Sequence, residues 1–293
     1  MQGMFNLSLT TISLYSRELQ QGLTLSRSGD IVTGAGRRLN VKGFLVDLDG
    51  VLYVGDCAVD GASRTIDNLH DQGFACRFVS NTTRKSRGTI AARLSSMGFD
   101  IPERDIFTPP LAAVAYMNHT GRHRFELLTT GDVYKDFPPS CTDADTAHRD
   151  YVIVGDAGDQ FTYEHLNRAF RQIIAGAELL ALERDRYWMA GDGLALSAGP
   201  FVAALEYATG TVATVMGKPS PAFFRLALED MHLAAAEVAM VGDDILTDIS
   251  GAQASGIQGI LVRTGKYRKE VVDRSGVIPS RIIGSVADLG DLV

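Results

Sequence analysis

The chain has 293 residues, of which 45% are hydrophobic and 22% are charged, and its formal net charge is −7 at pH 7. This length suits one large domain or two moderate ones, and the composition is typical of a globular α/β protein rather than a disordered chain. The negative charge and the lack of a long apolar run argue against nucleic acid and against a membrane as partners.

The first forty residues contain no motif that bears on chemistry. Residues 1–40 are rich in Ser, Thr and Leu and poor in acidic residues, a composition shared by organelle transit peptides and poorly ordered extensions. We expect residues 1–40 to be a poorly ordered extension or the result of a start codon placed too early. The alternative is a transit peptide for import into an organelle. The three cysteines lack CxxC spacing, which favours reduced thiols and a cytoplasmic protein.

From residue 41 onward, short apolar runs alternate with helix-like segments. The strand candidates of residues 41–107 and 211–293 are GFLVD, FACRFVS, TVATVMG, VAMVGDD and IQGILVRTG. Alternation of strands and helices with short connections predicts βαβ units. We therefore expect an α/β fold built on a doubly wound, Rossmann-like parallel sheet.

Residues 108–210 follow a different spacing. They contain the strand candidates RFELLTT, YVIVGDA and AELLALE and two helical segments, and the flanking pattern stays continuous without them. We interpret this block as a smaller inserted α/β domain, and we expect Pro109 and Pro110 in an irregular connection. Four residues at helical spacing are expected in its core or at a dimer surface: Tyr163, Leu166, Ala169 and Phe170.

Polar clusters follow four strand candidates of the outer domain. In chain order the clusters are Asp47 with Asp49, Ser80 with Asn81, Lys218 alone, and Asp243 with Asp244 and Asp248. The carboxyl ends of parallel strands lie along one edge of a sheet, where open α/β sheets bind ligands. Side chains far apart in the sequence are therefore expected in one pocket.

The residue types in these clusters suit phosphoryl transfer. Neighbouring carboxylates repel each other unless a cation lies between them, and Mg²⁺ prefers oxygen ligands. Ser and Asn offer uncharged groups to phosphoryl oxygens, and Lys offers a positive charge. One carboxylate can attack phosphorus while a second moves the proton, a division that suits Asp47 and Asp49.

Each cluster also has a purely structural explanation. Asp-Gly is common in turns, and Ser80 with Asn81 could cap the next helix. Lys218 could be an exposed lysine, and GDDILTD could open a helix with acidic residues in its first turn. Four such explanations in this order, all at strand ends, are less plausible together than a single catalytic site.

The order DxDG, SN, lone Lys and GDDxxxD resembles the haloacid dehalogenase (HAD) superfamily of phosphohydrolases. The position of the insertion resembles the NagD-like branch, whose members carry a cap domain of the C2 type. Segments such as RFVSNTTRKS and GKPSPAFFRLAL resemble the phospholysine phosphohistidine inorganic pyrophosphate phosphatases. The resemblance implies a HAD core of 41–107 and 211–293 and a cap of 108–210.

The resemblance also implies a role for each motif residue. Asp47 would be the nucleophile, forming an aspartyl-phosphate, and Asp49 would be the general acid and base. Ser80 and Asn81 would bind the phosphoryl group, and Lys218 would stabilise it in the transition state. The Mg²⁺ ligands would be Asp47, the Asp49 backbone carbonyl and Asp243. Asp244 and Asp248 would support the metal ligands or orient Lys218.

The implied substrate is a small phosphorylated metabolite, pyrophosphate or a phosphoramidate, and the implied assembly is a homodimer through the cap. In the pyrophosphate phosphatases Ser often occupies the position of Asp49. This difference weakens the inference that this chain acts on the same substrate. Within the cap, residues 183–194 are expected to face the pocket. Tyr187 and Trp188 would then contact the leaving group, or Trp188 would anchor the cap's own core.

Three other interpretations use the same residues. A receiver-type signalling module clusters Asp and Lys, but it is shorter and carries no cap. A catalytically idle scaffold would use the cap as a binding surface and would not need the carboxylates. A dehalogenase would share the fold without needing Mg²⁺. Gly265 and Lys266 lack the glycine spacing of a phosphate-binding P-loop.

Overall fold

A computed structural model describes residues 38–139 and 148–293, together with an antiparallel pair of short strands, β1 (Leu23–Leu25) and β2 (Ile31–Thr33). Cys141 and most of the predicted N-terminal extension lie outside the described residues. The chain divides into two units, one of residues 1–39 with 291–293 and one of residues 40–290. The larger unit contains all the elements that concern the site.

The larger unit alternates strands and helices along most of its length. Its strands are β3 (Gly43–Asp47), β4 (Tyr53–Val54), β5 (Cys57–Ala58), β6 (Ala75–Val79), β7 (Ile106–Phe107), β8 (Phe125–Leu128), β9 (Tyr151–Val154), β10 (Glu178–Ala181), β11 (Tyr187–Ala190), β12 (Gly193–Leu196), β13 (Thr214–Val215), β14 (Val238–Gly242), β15 (Gln258–Val262) and β16 (Arg281–Ile283). Its α-helices are α1 (Ala62–Asp71), α2 (Arg87–Ser96), α3 (Pro109–Thr120), α4 (Tyr163–Ile174), α5 (Gly199–Thr209), α6 (Pro221–Met231), α7 (Gly251–Ala254) and α8 (Lys269–Ser275). A π-helical segment, Ile245–Ser250, precedes α7.

Six parallel strands form the main sheet, in the order β16-β15-β14-β3-β6-β7. The chain moves outward from β3 to β7 on one side, then returns to β14 and moves outward to β16 on the other. The expected doubly wound sheet is confirmed. Its order reverses between β3 and β14, and the crevice at such a reversal is where α/β sheets bind ligands.

The apolar runs of the sequence become the central strands of this sheet. Phe44, Leu45 and Val46 in β3 are fully buried, and every residue of β14 is buried as well. A parallel strand covered on both faces shows continuous apolar residues rather than alternation, which explains why these runs were readable as strands.

A second parallel sheet has the order β13-β10-β9-β8. The segment TVATVMG was expected in the outer sheet, but its Thr214–Val215 strand pairs with β10 and therefore belongs to this second sheet. The apolar run alone could not distinguish the two sheets, since either would bury it. The cap limits of 108–210 stay a prediction, and β13 lies just beyond them.

One further expectation is corrected, and another is narrowed to one of its two alternatives. Pro109 and Pro110 do not lie in an irregular connection but are the first two residues of α3, where a missing N–H costs no helical hydrogen bond. Tyr163 opens α4 and is 83% exposed, which excludes a core position, and its alternative place at a dimer surface stays a prediction. Ala169 is buried as expected, and Leu166 and Phe170 pack against the same core.

Asp132, in the loop after β8, joins this part of the chain to the first turn of α2. Its carboxylate accepts hydrogen bonds from the Ser86 hydroxyl at 2.8 Å, the Ser86 N–H at 2.8 Å and the Thr89 hydroxyl at 2.7 Å. The bonds from Thr89 and from the Ser86 backbone lower the pKa of Asp132. No helix of the described residues is long and apolar enough to cross a membrane.

We expect Asp132→Ala to lower the free energy of unfolding by about 1–3 kcal/mol, because the donors of Ser86 and Thr89 lose their acceptor. The pKa of Asp132 is lower in the folded protein than in the unfolded chain. Its contribution to the free energy of unfolding is therefore fully present above the ordinary aspartate pKa of about 3.9, and it is lost as pH falls toward the pKa of the folded state. Urea unfolding of both proteins at pH 7 and at acid pH measures it. Asp67→Ala, at an exposed site on α1, is the control, and a difference independent of pH would contradict the assignment.

Candidate active site

The candidate site lies at the carboxyl ends of β3 and β14, on either side of the sheet reversal. Asp47 is the last residue of β3, and Asp243 directly follows β14. Val46 and Val241 are paired in the sheet, so the two acidic residues leave neighbouring strands at the same edge. Both side chains are buried, Asp243 almost completely.

A buried ion triad forms the centre of the site. Lys218 Nζ lies 2.7 Å from Asp47 Oδ1 and 2.7 Å from Asp248 Oδ1. Burial alone would lower the pKa of Lys218, but the attraction of the two carboxylates outweighs it and the pKa is raised. The ammonium is therefore charged at neutral pH.

The two carboxylate oxygens of Asp47 have different surroundings. Oδ1 accepts hydrogen bonds from Lys218 and, at 2.9 Å, from the Leu48 N–H. Oδ2 has no hydrogen-bond donor among the residues that the structure describes. Burial raises the pKa of Asp47, while Lys218 acts in the opposite direction. One oxygen is thus fixed by the protein, and the other is available for chemistry.

Asp243 also has one bound oxygen and one without a partner. Oδ2 accepts the Lys266 N–H at 2.6 Å, whereas the buried Oδ1 has no hydrogen bond. Burial raises the pKa of Asp243 to about 6. Gly50, with φ +88°, packs so close that a Cβ there would lie 1.8 Å from Oδ2. A buried carboxylate oxygen without a donor is costly unless a cation binds it.

The donor set fits a divalent cation. Carboxylate oxygens of Asp47, Asp243 and Asp248 lie within 4.8 Å of one another, and the buried ammonium of Lys218 pairs with two of these three carboxylates. Two negative charges in excess would be unfavourable in a buried site, and Mg²⁺ takes oxygen ligands of this kind. Asp47 and Asp243 each have an oxygen free to bind it.

Asp248 is bound by protein groups on both oxygens. Oδ1 pairs with Lys218, and Oδ2 accepts the Asp244 N–H at 3.1 Å. Burial, followed by the repulsion of Asp47, raises the pKa of Asp248 to about 7. These contacts favour the supporting role expected for Asp248, which is to orient Lys218.

Asp244 and Asp49 lie nearer the surface. Asp244 Oδ1 accepts the N–H groups of Leu246 and Thr247 at 2.9 and 3.0 Å, so it caps the π-helical segment, as the structural explanation of GDDILTD expects. Asp49 is exposed, and within the described residues nothing hydrogen bonds to its carboxylate. An exposed carboxyl group beside the buried triad is suited to exchange protons with a ligand.

Asn81 is engaged with the backbone of Lys218. Its Nδ2 donates to the Lys218 carbonyl at 2.9 Å, and its Oδ1 accepts the Lys218 N–H at 2.8 Å. The expected role of Asn81 as a phosphoryl ligand stays a prediction, whereas the structure shows it positioning Lys218. Ser80 follows the strand that pairs with Asp47, and its hydroxyl accepts the Thr82 N–H at 3.2 Å.

The loop after β6 also binds the second sheet, through contacts that the sequence did not reveal. The Thr83 hydroxyl accepts the Asp156 N–H at 2.9 Å, and Arg84 Nε lies 2.9 Å from Asp156 Oδ2. The guanidinium carbon of Arg84 lies 5.0 Å from the ring centroid of Trp188. The available signal was Arg84, which stands three residues after Asn81 in the sequence SNTTR.

The segment 183–194 is not a plain loop, because it contains β11 and the start of β12, which pair as an antiparallel hairpin. Trp188 on β11 is 38% exposed and lies beside Arg84, so the alternative that it anchors the core of its own domain is wrong. Tyr187 next to it is more exposed still. Contact of either residue with a substrate stays a prediction.

Comparison with known families finds two matches along the chain. Residues 44–137 match the haloacid dehalogenase-like hydrolase family, and residues 215–289 match a HAD-hydrolase-like family. The first match contains Asp47, Asp49, Ser80 and Asn81, and the second contains Lys218 and Asp243. All the residues assembled at the site therefore fall within the matched parts.

Individual relatives cover most of the chain. Haloacid dehalogenase-like hydrolase domain-containing protein 2 of Rattus norvegicus is 44% identical over 80% of this chain and 88% of that protein. The phospholysine phosphohistidine inorganic pyrophosphate phosphatase of Danio rerio is 42% identical over 78% of this chain and 85% of that protein.

Solved structures agree with these sequence matches. NagD from E. coli K-12 superposes with a TM-score of 0.75 and 26% identity, covering 85% of this chain and 98% of NagD. A 4-nitrophenylphosphatase from Thermotoga maritima superposes with a TM-score of 0.77 and 26% identity, covering 86% of this chain and 97% of that one.

We expect Mg²⁺ to raise the melting temperature of the wild-type protein and to leave that of Asp243→Asn almost unchanged. A ligand at 100 times its Kd stabilises the folded state by about 2.7 kcal/mol, and the variant lacks the carboxylate whose Oδ1 is unpartnered. Thermal unfolding with Mg²⁺ and with EDTA measures the shift. Asp49→Asn should keep the shift, because only its backbone carbonyl is assigned to the metal, and an unchanged shift in Asp243→Asn would contradict the site.

Proposed function

The chain belongs to the NagD-like haloacid dehalogenase-like hydrolases, and from this premise we propose that it is a Mg²⁺-dependent phosphatase acting through an aspartyl-phosphate on Asp47. The observation that carries the proposal is the buried triad of Asp47, Lys218 and Asp248, in which one oxygen of Asp47 has no protein donor. Relatives named as phosphatases support the same reaction class.

In the first step the carboxylate of Asp47 attacks phosphorus, and the bond between phosphorus and the leaving oxygen breaks. Asp49 gives its proton to that oxygen, which its exposed position allows. Lys218 uses two of its three N–H donors on Asp47 and Asp248, so one is left for a phosphoryl oxygen. The product of this step is the aspartyl-phosphate on Asp47.

In the second step water attacks phosphorus, Asp49 takes the proton of that water, and the bond to Asp47 breaks to release phosphate. The carboxylate of Asp47 is restored, and Lys218 again neutralises part of its charge. Mg²⁺, held by Asp47, Asp243 and the Asp49 carbonyl, would supply the charge that draws the phosphoryl oxygens into this acidic site.

We further propose that residues 108–210, with β13, act as a C2-type cap over a core formed by the rest of the larger unit. The substrates would be small phosphorylated metabolites, pyrophosphate or phosphoramidates, in line with the names of the relatives. A homodimer through the cap and a cytoplasmic location complete the proposal. The described thiols, Cys57 and Cys76, are both unbridged, which suits that location.

Phosphate release from p-nitrophenyl phosphate, pyrophosphate, phosphoglycolate, a sugar phosphate and a nucleoside monophosphate tests the reaction. We expect Mg²⁺-dependent turnover that Asp47→Asn abolishes, because the nucleophile is lost. Asp49→Asn should lower kcat by about 10²–10⁴-fold, the usual contribution of general acid–base catalysis. Asp67→Asn, on the exposed face of α1, is the matched control and should keep full activity.

Each rival interpretation predicts a different result, in this assay or in a separate test for phosphorylated Asp47 or for halide release. A folded protein that binds Mg²⁺ but releases no phosphate would favour the idle scaffold. A phosphorylated Asp47 without sustained turnover would favour a signalling module. Activity independent of Mg²⁺ on haloacids would favour a dehalogenase.

Asn81→Ala should lower kcat by about 10²-fold, the typical cost of displacing a catalytic group by about 1 Å. The cause is loss of both side-chain contacts to the Lys218 backbone. Steady-state kinetics on the best substrate measure it. Asn118→Ala, at an exposed position near the end of α3, is the control. An unchanged kcat together with a raised KM would instead indicate a ligand role for Asn81.

A further inference from the structure

The loop after β15 packs directly on the loop after β3. The Thr264 hydroxyl donates to the Gly50 carbonyl, and the Lys266 N–H donates to Asp243 Oδ2 at 2.6 Å. Between them, Gly265 has φ +57°, and a Cβ there would lie 2.4 Å from Gly50 Cα and 2.1 Å from Asp243 Oδ2. The backbone of Lys266 is therefore fixed at the rim of the candidate site.

The side chain of Lys266 is exposed at this rim. The carboxylates of Asp47 and Asp243 attract the positive charge of this side chain. The ammonium thus lies in the electrostatic field of the site carboxylates. Among the described residues, no carboxylate lies within the 4.0 Å of its Nζ that would make an ion pair.

Other cations of the site are already paired. Lys218 is bound by Asp47 and Asp248, and Arg84 is bound by Asp156. A substrate whose leaving group is anionic brings a second negative charge, which must lie next to this acidic cluster. Lys266 is placed to offset that charge from outside the triad.

We propose that Lys266 binds the second anionic group of the substrate, and that the site therefore prefers phosphoryl compounds with an anionic leaving group, of which pyrophosphate is the simplest. This inference rests on the proposed phosphatase function. The ammonium of Lys266 pairs with the negative charge that such a leaving group already carries when the substrate binds, before the bond to phosphorus breaks. A substrate with an uncharged substituent at that position gains nothing from Lys266.

Binding by the full-length protein in the presence of Mg²⁺ tests the proposal without requiring turnover. The probes are methylenediphosphonate, which carries two anionic groups, and inorganic phosphate, which carries one. We expect Lys266→Gln to weaken methylenediphosphonate binding about tenfold, the effect of one charge-assisted hydrogen bond, and phosphate binding less than about twofold. Lys266→Arg should keep most of the affinity because it keeps the charge.

Lys269→Gln is the matched control, since it removes an exposed lysine three residues away that pairs with Asp273 on α8. Calorimetric titration of each variant gives the affinities. Equal weakening of both probes would overturn the proposal, because Lys266 would then act on the shared phosphoryl position or on folding. Unchanged affinity for methylenediphosphonate would overturn it as well.

Turnover separates this proposal from the general one. In an active enzyme, Lys266→Gln should raise KM for pyrophosphate about tenfold and leave kcat/KM for p-nitrophenyl phosphate within about twofold. Wild-type protein that shows the expected binding pattern but releases no phosphate would overturn the phosphatase proposal and support the role of Lys266.

Discussion

The buried ammonium of Lys218, held between Asp47 and Asp248, is the interaction on which the rest of the site depends. Its partners come from distant parts of the chain, so the triad exists only when the main sheet and the loop after β13 are both in place. Removing one member of such a triad leaves an uncompensated buried charge, which typically costs about 3–5 kcal/mol. Asn81 fixes the backbone of the lysine, and the Asp244 N–H fixes Asp248. Stability and chemistry therefore constrain the same residues.

The sheet topology explains why an excess of negative charge collects at this point. The reversal of strand order makes β3 and β14 neighbours, and each ends in an acidic residue at the same edge. Lys218 offsets only part of that charge, and burial raises the pKa of both Asp47 and Asp243. A divalent cation and a phosphoryl group together would complete the balance, since the cation supplies the missing charge and the phosphoryl group brings further oxygen ligands.

The main sheet and the motif residues could be predicted from the sequence because both depend on local patterns. Buried parallel strands show as unbroken apolar runs, and a polar cluster after each run marks its carboxyl end. What could not be predicted depends on tertiary contacts. The strand before Lys218 joins the second sheet, although its sequence suits either sheet. Asn81 turns toward the Lys218 backbone, and the backbone of Lys266 reaches Asp243. Neither spacing nor composition encodes such contacts across more than a hundred residues, or between loops of different strands.

The loop after β6 makes the two sheets parts of one site. Asn81 faces Lys218, whereas Thr83 and Arg84 bind Asp156 beyond the end of β9. Separating the second sheet from this loop would leave the buried Asp156 without its ion pair, and each buried polar group left unpaired costs about 1–3 kcal/mol. The second sheet is therefore held against the loop after β6. Asp49 and Lys266 are the exposed residues at the rim of the site, and the proposed contact of Lys266 with a substrate would be made on this side.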